Sequence, residues 1–351
     1  MRRGARVVAV VLLVVACCAW GAGRLSAQSK AKAENVPLIS FTSVPNFFKL
    51  PPDLYFGEGI GIATNSKGHV FVYTRSGDTR LFEFDEKGNY LKEWGVGLYG
   101  LEFAHGVRVD REDNVWVVDE GTNMVIKFNP DGRVAMVLGR RPEPVAGAFD
   151  STMPAAPAEK YRFGRPTDVT WDAQGNIFVS DGYVNSRVVK YDKNGRFVKS
   201  VGIRGSQPSQ LNTPHSITSD EQGNIYVGDR GNARVQVFDN DLTLRAIYDN
   251  VGNPWAVCVS PGPHQYLFVS NSNPDSNPAA SWAITGEIYK MELDGTIVGK
   301  FGKAGKGLGE FSTVHAIDCR NANELYVVEI SAWRAQKILL NPQQPPQSVA
   351  R

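Results

Sequence analysis

Cysteine, charge of one sign and long apolar runs are all scarce in this sequence. It has four cysteines, of which Cys17 and Cys18 lie close to the N-terminus, and their spacing matches no metal-binding pattern. Lysine plus arginine number 38 against 36 for aspartate plus glutamate, and no basic block stands out, which removes the electrostatic footprint expected of a nucleic-acid binder. After Trp20 no stretch approaches the roughly 18 uninterrupted apolar residues of a membrane helix. Helical periodicity is missing as well, so no helix of useful length is expected.

What is present begins with a leader-like segment. Arg2, Arg3 and Arg6 precede an apolar run from Val7 to Trp20, and small residues around Leu25-Ser26-Ala27 offer a cleavage site, the pattern of a secretory signal peptide over residues 1–27. Cleavage near Ala27 predicts a secreted or periplasmic protein with no stable membrane span. An uncleaved anchor and lipid attachment at Cys17 are the alternatives. Removal of residues 1–27 takes away four arginines and no acids, leaving 34 basic against 36 acidic residues. Cys258 and Cys319 then remain, either as one disulfide or as two buried thiols.

One short pattern recurs about every 40 to 50 residues. An alternating apolar strand leads into a polar turn and a second strand, as in Asp110-Arg111-Glu112-Asp113-Asn114-Val115, Asp172-Ala173-Gln174-Gly175-Asn176-Ile177 and Asp220-Glu221-Gln222-Gly223-Asn224-Ile225. A third strand and a second turn follow, as in Asn129-Pro130-Asp131-Gly132, and a fourth strand often ends in glycine. Asp, Asn and Gly supply the positive φ that tight hairpins need. Four short antiparallel strands per unit predict an all-β fold, a six-bladed β-propeller over residues 51–340. Its units span about 51–97, 98–140, 161–203, 209–250, 251–303 and 309–340. In the preceding segment, residues 28–50, the stretch from Val36 to Ser43 would close the ring by completing the last blade. Residues 341–351 read as a disordered tail.

Aligning the units on their first strands exposes one position that reads Glu58, His105, Thr167, His215, Trp255 and His315. Three of the chain's five histidines share it, where chance would place far fewer than one. They fall in the second, fourth and sixth units, so a near six-fold ring spaces them evenly around the axis that the first strands line. Three imidazoles converging on one point suit a zinc site with an open fourth position, although nickel, copper and iron also accept such ligands. His69 and His264 sit in turns and are expected to be solvated.

If the first strand runs away from the histidine face, the loop after the second strand returns to it. Those loops carry Arg75, the run from Asp181 through Gly182 and Tyr183 to Arg187, and Asp229-Arg230-Gly231-Asn232. A phenol and two guanidiniums would then ring the metal, and arginine forks suit a carboxylate. The long insertions 140–160 and 271–286 emerge at the same face and are expected to form a substrate rim.

Pro166-Thr167-Asp168-Val169, the run Phe178-Val179-Ser180-Asp181-Gly182-Tyr183-Val184-Asn185-Ser186-Arg187, Ala104-His105-Gly106-Val107, Pro214-His215-Ser216-Ile217 and Asp229-Arg230-Gly231-Asn232-Ala233-Arg234 together resemble the peptidyl-α-hydroxyglycine α-amidating lyases, six-bladed propellers built from NHL-type repeats. The similarity is good over units one to four and looser over five and six. It implies zinc on His105, His215 and His315, catalysis by Tyr183, and carboxylate binding by Arg75 and Arg230. The implied reaction is carbon–nitrogen lysis of a peptide or small molecule ending in α-hydroxyglycine, giving an amide and glyoxylate. A separate monooxygenase would have to supply that substrate. The family pattern also has an acid after the third histidine, which with the carbonyl matching Val107 binds calcium; Ala316 stands there, so calcium is not expected. Thr313 replaces a methionine, and cysteines matching the family disulfides are missing. The competing readings are a propeller lactonase or esterase, which would favour a calcium site of acids and Asn, and a non-catalytic NHL propeller that binds a peptide, carbohydrate or protein partner.

Overall fold

The computed structural model describes residue 33 and residues 35–98, 100–141, 159–272 and 286–341. The leader over residues 1–27 and all but the first residue of the 341–351 tail fall outside these. Six four-stranded antiparallel sheets make up the described residues, and each blade runs first to fourth strand in simple meander order. The first, innermost strands are Glu58–Thr64, Ala104–Val109, Asp168–Trp171, Pro214–Ser219, Pro254–Val259 and Val314–Asn321 for blades 1 to 6. Each packs on the first strand of the next blade, and the sixth packs on the first, so the ring is closed. Phe41–Ser43 supplies the fourth strand of blade 6, pairing Phe41 with Leu340 and Ser43 with Ile338. The sheet that closes the circle thus joins both ends of the propeller chain, and the short fourth strands form the outer edges of the blades.

Burial explains the sequence pattern. Second strands such as Val115–Asp119 and Ile225–Asp229 are buried throughout and read as near-continuous apolar runs, because blades cover both of their faces. Fourth strands such as Phe197–Val201 are exposed through their middle. The core lies between blades: Phe71, Tyr73 and Leu81 of blade 1 pack with Val107, Val117 and Ile126 of blade 2. Each such side chain, fully withdrawn from water, contributes about 2–3 kcal/mol.

The polar turn between first and second strands has a mechanical reason. Asp172 accepts from the main-chain N–H of Gln174 and Asn176 at 2.9 and 2.8 Å and from the Asn176 side chain at 2.6 Å. Asp110 with Asn114 and Asp220 with Asn224 repeat the device. These Asx-type bonds hold the turn that reverses the chain at the far end of each innermost strand. Cys258 and Cys319 form a disulfide, with Cα atoms 6.0 Å apart, that ties the innermost strands of blades 5 and 6 together. Among the described residues the only helix is one 3₁₀ turn, Arg230–Asn232, and no helix there is long and apolar enough to cross a membrane.

Candidate metal centre

A local slip in strand pairing places the histidines. At the start of the innermost strands of blades 2, 4 and 6 the register shifts between Ala104 and Gly106, Pro214 and Ser216, and Val314 and Ala316. His105, His215 and His315 are therefore each the extra residue of a β-bulge, which re-aims the side chain it carries. Their three rings meet, with centroids 4.7 to 4.8 Å apart. Blade 1 has the same bulge at Ile60, between Gly59 and Gly61. This corrects the alignment that put Glu58 there: Glu58 lies two residues earlier and faces Arg75 across the ladder.

The odd-numbered blades hold what the even-numbered blades present. Nδ1 of His105 bonds the carbonyl of Thr167 at 2.6 Å, Nδ1 of His215 that of Trp255 at 2.7 Å, and Nδ1 of His315 that of Ile60 at 2.7 Å. A carbonyl can only accept, so each ring carries its proton on Nδ1 and keeps a lone pair on Nε2. Burial pushes all three imidazolium pKa values down, that of His315 to about 3, with neighbouring Arg75 and Arg230 acting in the same direction. The rings are thus neutral. Nε2 of His215 and of His315 is buried without a hydrogen-bond partner, and the three candidate ligand atoms lie within 4.8 Å of one another. Buried lone pairs left unmatched are costly, and neutral imidazoles with Nδ1 tied to carbonyls are what a divalent metal takes. The donor set fits such an ion.

Beneath the rings a cavity of about 10 Å³ is lined by Val107, Arg108, Asp168, Ser216 and Ala316 among others. Its floor is a buried ion pair: Arg108 donates to both oxygens of Asp168 at 2.9 and 2.6 Å and reaches the carbonyls of Val257 and Ile317, each at 3.3 Å. A larger cavity, about 520 Å³, opens at the other end of the first strands between Trp116, Trp171 and the turns at Asp172 and Asp220. It holds none of the histidines.

Tyr183 stands at the rim. Its hydroxyl lies 3.2 Å from Nε2 of His105, to which it donates. Gly182 makes this approach feasible, since a Cβ there would sit 2.2 Å from the carbonyl oxygen of Pro214. The loop is fixed by Arg204, which donates to the Tyr183 carbonyl at 2.7 Å, and by the Tyr183 N–H, which donates to Arg165 at 3.3 Å. Burial pushes the phenol pKa up and Glu120 adds to this, while Arg230, Arg75 and Arg165 pull it down. Arg230 lies over the Tyr183 ring at 5.4 Å and over Trp255 at 4.2 Å.

Arg75 is beside the site but committed. Its Nε donates to Glu58 at 2.7 Å, its Nη1 to Glu120 at 3.3 Å and to the carbonyl of Ala104 at 3.4 Å, and its guanidinium covers the Phe103 ring at 4.1 Å. Glu120 occupies in blade 2 the register position of Arg75 in blade 1 and Arg230 in blade 4, at the end of the second strand. The aligned repeats carry that equivalence in the sequence. Its Oε1 also accepts from Arg165 at 3.1 Å, whereas Oε2 is buried without a partner. Arg187, expected among the loop residues near the metal, instead anchors a blade corner, bonding Asp181 at 2.9 Å and the carbonyls of Glu159 and Arg162. His69 is also less solvated than expected, because Nδ1 is held by Glu83 at 2.8 Å; the His264 side chain is 62% exposed. Most of the two insertions, residues 142–158 and 273–285, lies outside the described residues.

Fold and repeat together define an NHL-repeat six-bladed β-propeller. The NHL repeat model matches residues 211–238, the first three strands of blade 4. In sequence the chain is similar to the peptidyl-glycine alpha-amidating monooxygenase of Mus musculus, 32% identical over 251 residues, 65% of this chain and 24% of that protein. It is 31% identical over 218 residues to a probable peptidyl-alpha-hydroxyglycine alpha-amidating lyase of Caenorhabditis elegans, 55% of this chain and 58% of the other. NHL repeat-containing protein 3 of Mus musculus is 28% identical over 82% of this chain and 81% of its own length. The chain thus spans between about a quarter and three fifths of the amidating relatives it matches. Among solved structures, a gluconolactonase from Xanthomonas campestris superimposes with a TM-score of 0.59 at 15% identity, over 91% of this chain and 99% of that one, a likeness of fold.

Proposed function

We propose that the chain is a zinc-dependent carbon–nitrogen lyase that opens the N–Cα bond of a carbinolamide bearing a carboxylate, giving an amide and glyoxylate. The observation that carries the reading is the set of three neutral imidazoles whose Nδ1 atoms are tied to carbonyls and whose Nε2 atoms cluster, with a phenol at 3.2 Å from one of them. Similarity to proteins named as amidating lyases supports the reaction class. His105, His215 and His315 would hold the ion, which when bound supplies Lewis acidity toward a hydroxyl or carbonyl oxygen.

The protein's own groups account for the remaining steps. Tyr183 as phenolate takes the carbinol proton and returns it to the departing amide nitrogen. The C–N bond breaks as the C=O bond of glyoxylate forms, and one proton has moved from oxygen to nitrogen. Burial raises the phenol pKa and the guanidiniums around it oppose that rise only in part, so ionisation would draw on the charge of a bound cation as well; the same guanidiniums match a substrate carboxylate. The same reading puts the protein outside the cytoplasm, supported by the leader-like segment and by the Cys258–Cys319 bridge, since such bonds persist in oxidising compartments.

A lactonase reading draws on the fold of the gluconolactonase neighbour, but the ring axis here presents imidazoles, and the nearby carboxylate of Asp168 is already bound by Arg108. The test is metal analysis together with glyoxylate release from a synthetic α-hydroxyglycine peptide, in the parent and in Tyr183→Phe. Parent protein should carry zinc and release glyoxylate, and the variant should keep the zinc while turnover falls about 10²- to 10⁴-fold. Zinc without glyoxylate would point to another substrate, and no metal to a binding module. Equal turnover in variant and parent would remove Tyr183 from the chemistry.

A further inference from the structure

Three guanidiniums surround Tyr183, and they differ in what already holds them. Arg75 is 7% exposed, with two carboxylates and a carbonyl on its nitrogens and a phenyl ring on its face. A carboxylate arriving from solvent would have to displace Glu58 or Glu120 to reach Nε or Nη1, which leaves Nη2 as the one nitrogen of Arg75 without a hydrogen bond among the described residues. Arg230 has no carboxylate partner among the described residues and lies on the rings of Tyr183 and Trp255. The third, Arg165, has a side chain 52% exposed, its guanidinium lies over the Tyr183 ring at 4.6 Å, and among the described residues only Nη2 is engaged, by Glu120.

The backbone at Arg165 is built to hold this pose. Its φ is +58°, a region that non-glycine residues seldom enter, and Thr213 before Pro214 at the equivalent place in blade 4 has φ +54°, so the repeat itself sets this backbone. The strained residue is clamped from both sides: its N–H donates to Asn123 at 2.7 Å, and its carbonyl accepts the Tyr183 N–H. Glu120 completes the clamp by gripping Arg165 through Oε1 while it grips Arg75 through the same oxygen.

We propose that Arg165 and Arg230, lying on the same phenol ring, form the binding pair for the substrate's carboxylate, with Glu120 as the positioning residue for Arg165 and with Arg75 in a supporting role. This deepens the lyase reading, and rests on it, by assigning the group that recognises the anionic end of the substrate. Arg165 is not one of the arginines that the family resemblance implies; it stands at the position that Thr213 and Asn253 hold before Pro214 and Pro254 in blades 4 and 5.

The experiment measures equilibrium binding of an unreactive peptide ending in glycine, as the free acid and as the C-terminal amide, to zinc-loaded parent protein and to Arg165→Gln, Arg165→Lys and Glu120→Gln. Kinetics on the α-hydroxyglycine peptide run alongside. The parent should prefer the acid. Arg165→Gln should weaken acid binding at least about tenfold, the size of a lost charge-assisted bond, and leave amide binding unchanged. Arg165→Lys should recover part of the loss, and Glu120→Gln should weaken the acid by roughly two- to fivefold, as a partly exposed ion pair allows, with KM rather than kcat moving. Acid binding by Arg165→Gln equal to the parent's, or a parent indifferent to acid and amide, overturns the proposal. Acid binding that depends on Arg165 in a protein that releases no glyoxylate would instead sink the lyase reading alone.

Discussion

Even-numbered and odd-numbered blades use the same position at the start of the innermost strand for opposite purposes. In blades 2, 4 and 6 it bears an imidazole; in blades 1, 3 and 5 the equivalent residues, Ile60, Thr167 and Trp255, offer their carbonyls to the imidazole of the preceding blade. A single repeat position thus yields both a candidate ligand and the partner that sets its tautomer. The side chain is decisive at the even positions and nearly irrelevant to the metal at the odd ones, because a carbonyl survives any substitution.

Breaking an even position should have the largest effect. His215→Ala is expected to lose zinc and glyoxylate release together while the propeller stays folded, checked by metal analysis and thermal unfolding of the same sample; retained zinc would mean that the ion is held elsewhere. An odd position should respond differently. Trp255 is 2% exposed and packs on His215 and Arg230, so Trp255→Ala should cost about 3–5 kcal/mol of stability, as large-to-small core changes do. Its folded fraction should still bind zinc, because the Trp255 carbonyl remains; zinc loss equal to that of His215→Ala would erase the distinction.

The smallest effect concerns the seam between blades 6 and 1, where Asp318 accepts from Thr64 at 2.8 Å. Burial raises the Asp318 pKa from 3.8 to about 6, against the pull of Thr64 and Arg108. A carboxyl whose folded pKa is raised stabilises fully below the unfolded value, and the contribution fades as pH rises through about 6. Thermal unfolding of Asp318→Asn should therefore depend less on pH between about 4 and 7 than that of the parent; parallel curves would contradict this.

How far the sequence revealed this arrangement follows from what repeats. The blades were legible because a hairpin held by Asp172 and Asn176 recurs as Asp110 with Asn114 and Asp220 with Asn224, and the meeting of three histidines follows from superimposing equivalent strands. The sequence puts Glu58 where the structure has Ile60, because Gly59-Ile60-Gly61 alternates in the way a straight strand would and a bulge leaves no trace in a period of two. The pairing of Cys258 with Cys319 depends on a Cα separation that only the packing of two blades sets. Glu120 and Arg165 occupy repeated positions with side chains unlike their counterparts, and they matter through one another and through the Tyr183 ring, contacts that only the folded loops bring together.

The most direct test of the central claim is X-ray absorption at the zinc edge of the purified protein. Three imidazole nitrogens at about 2.0–2.1 Å, with one lost in His105→Ala, His215→Ala or His315→Ala alike, is the expected result. A spectrum dominated by oxygen or sulfur donors, or one unchanged in all three variants, would contradict it.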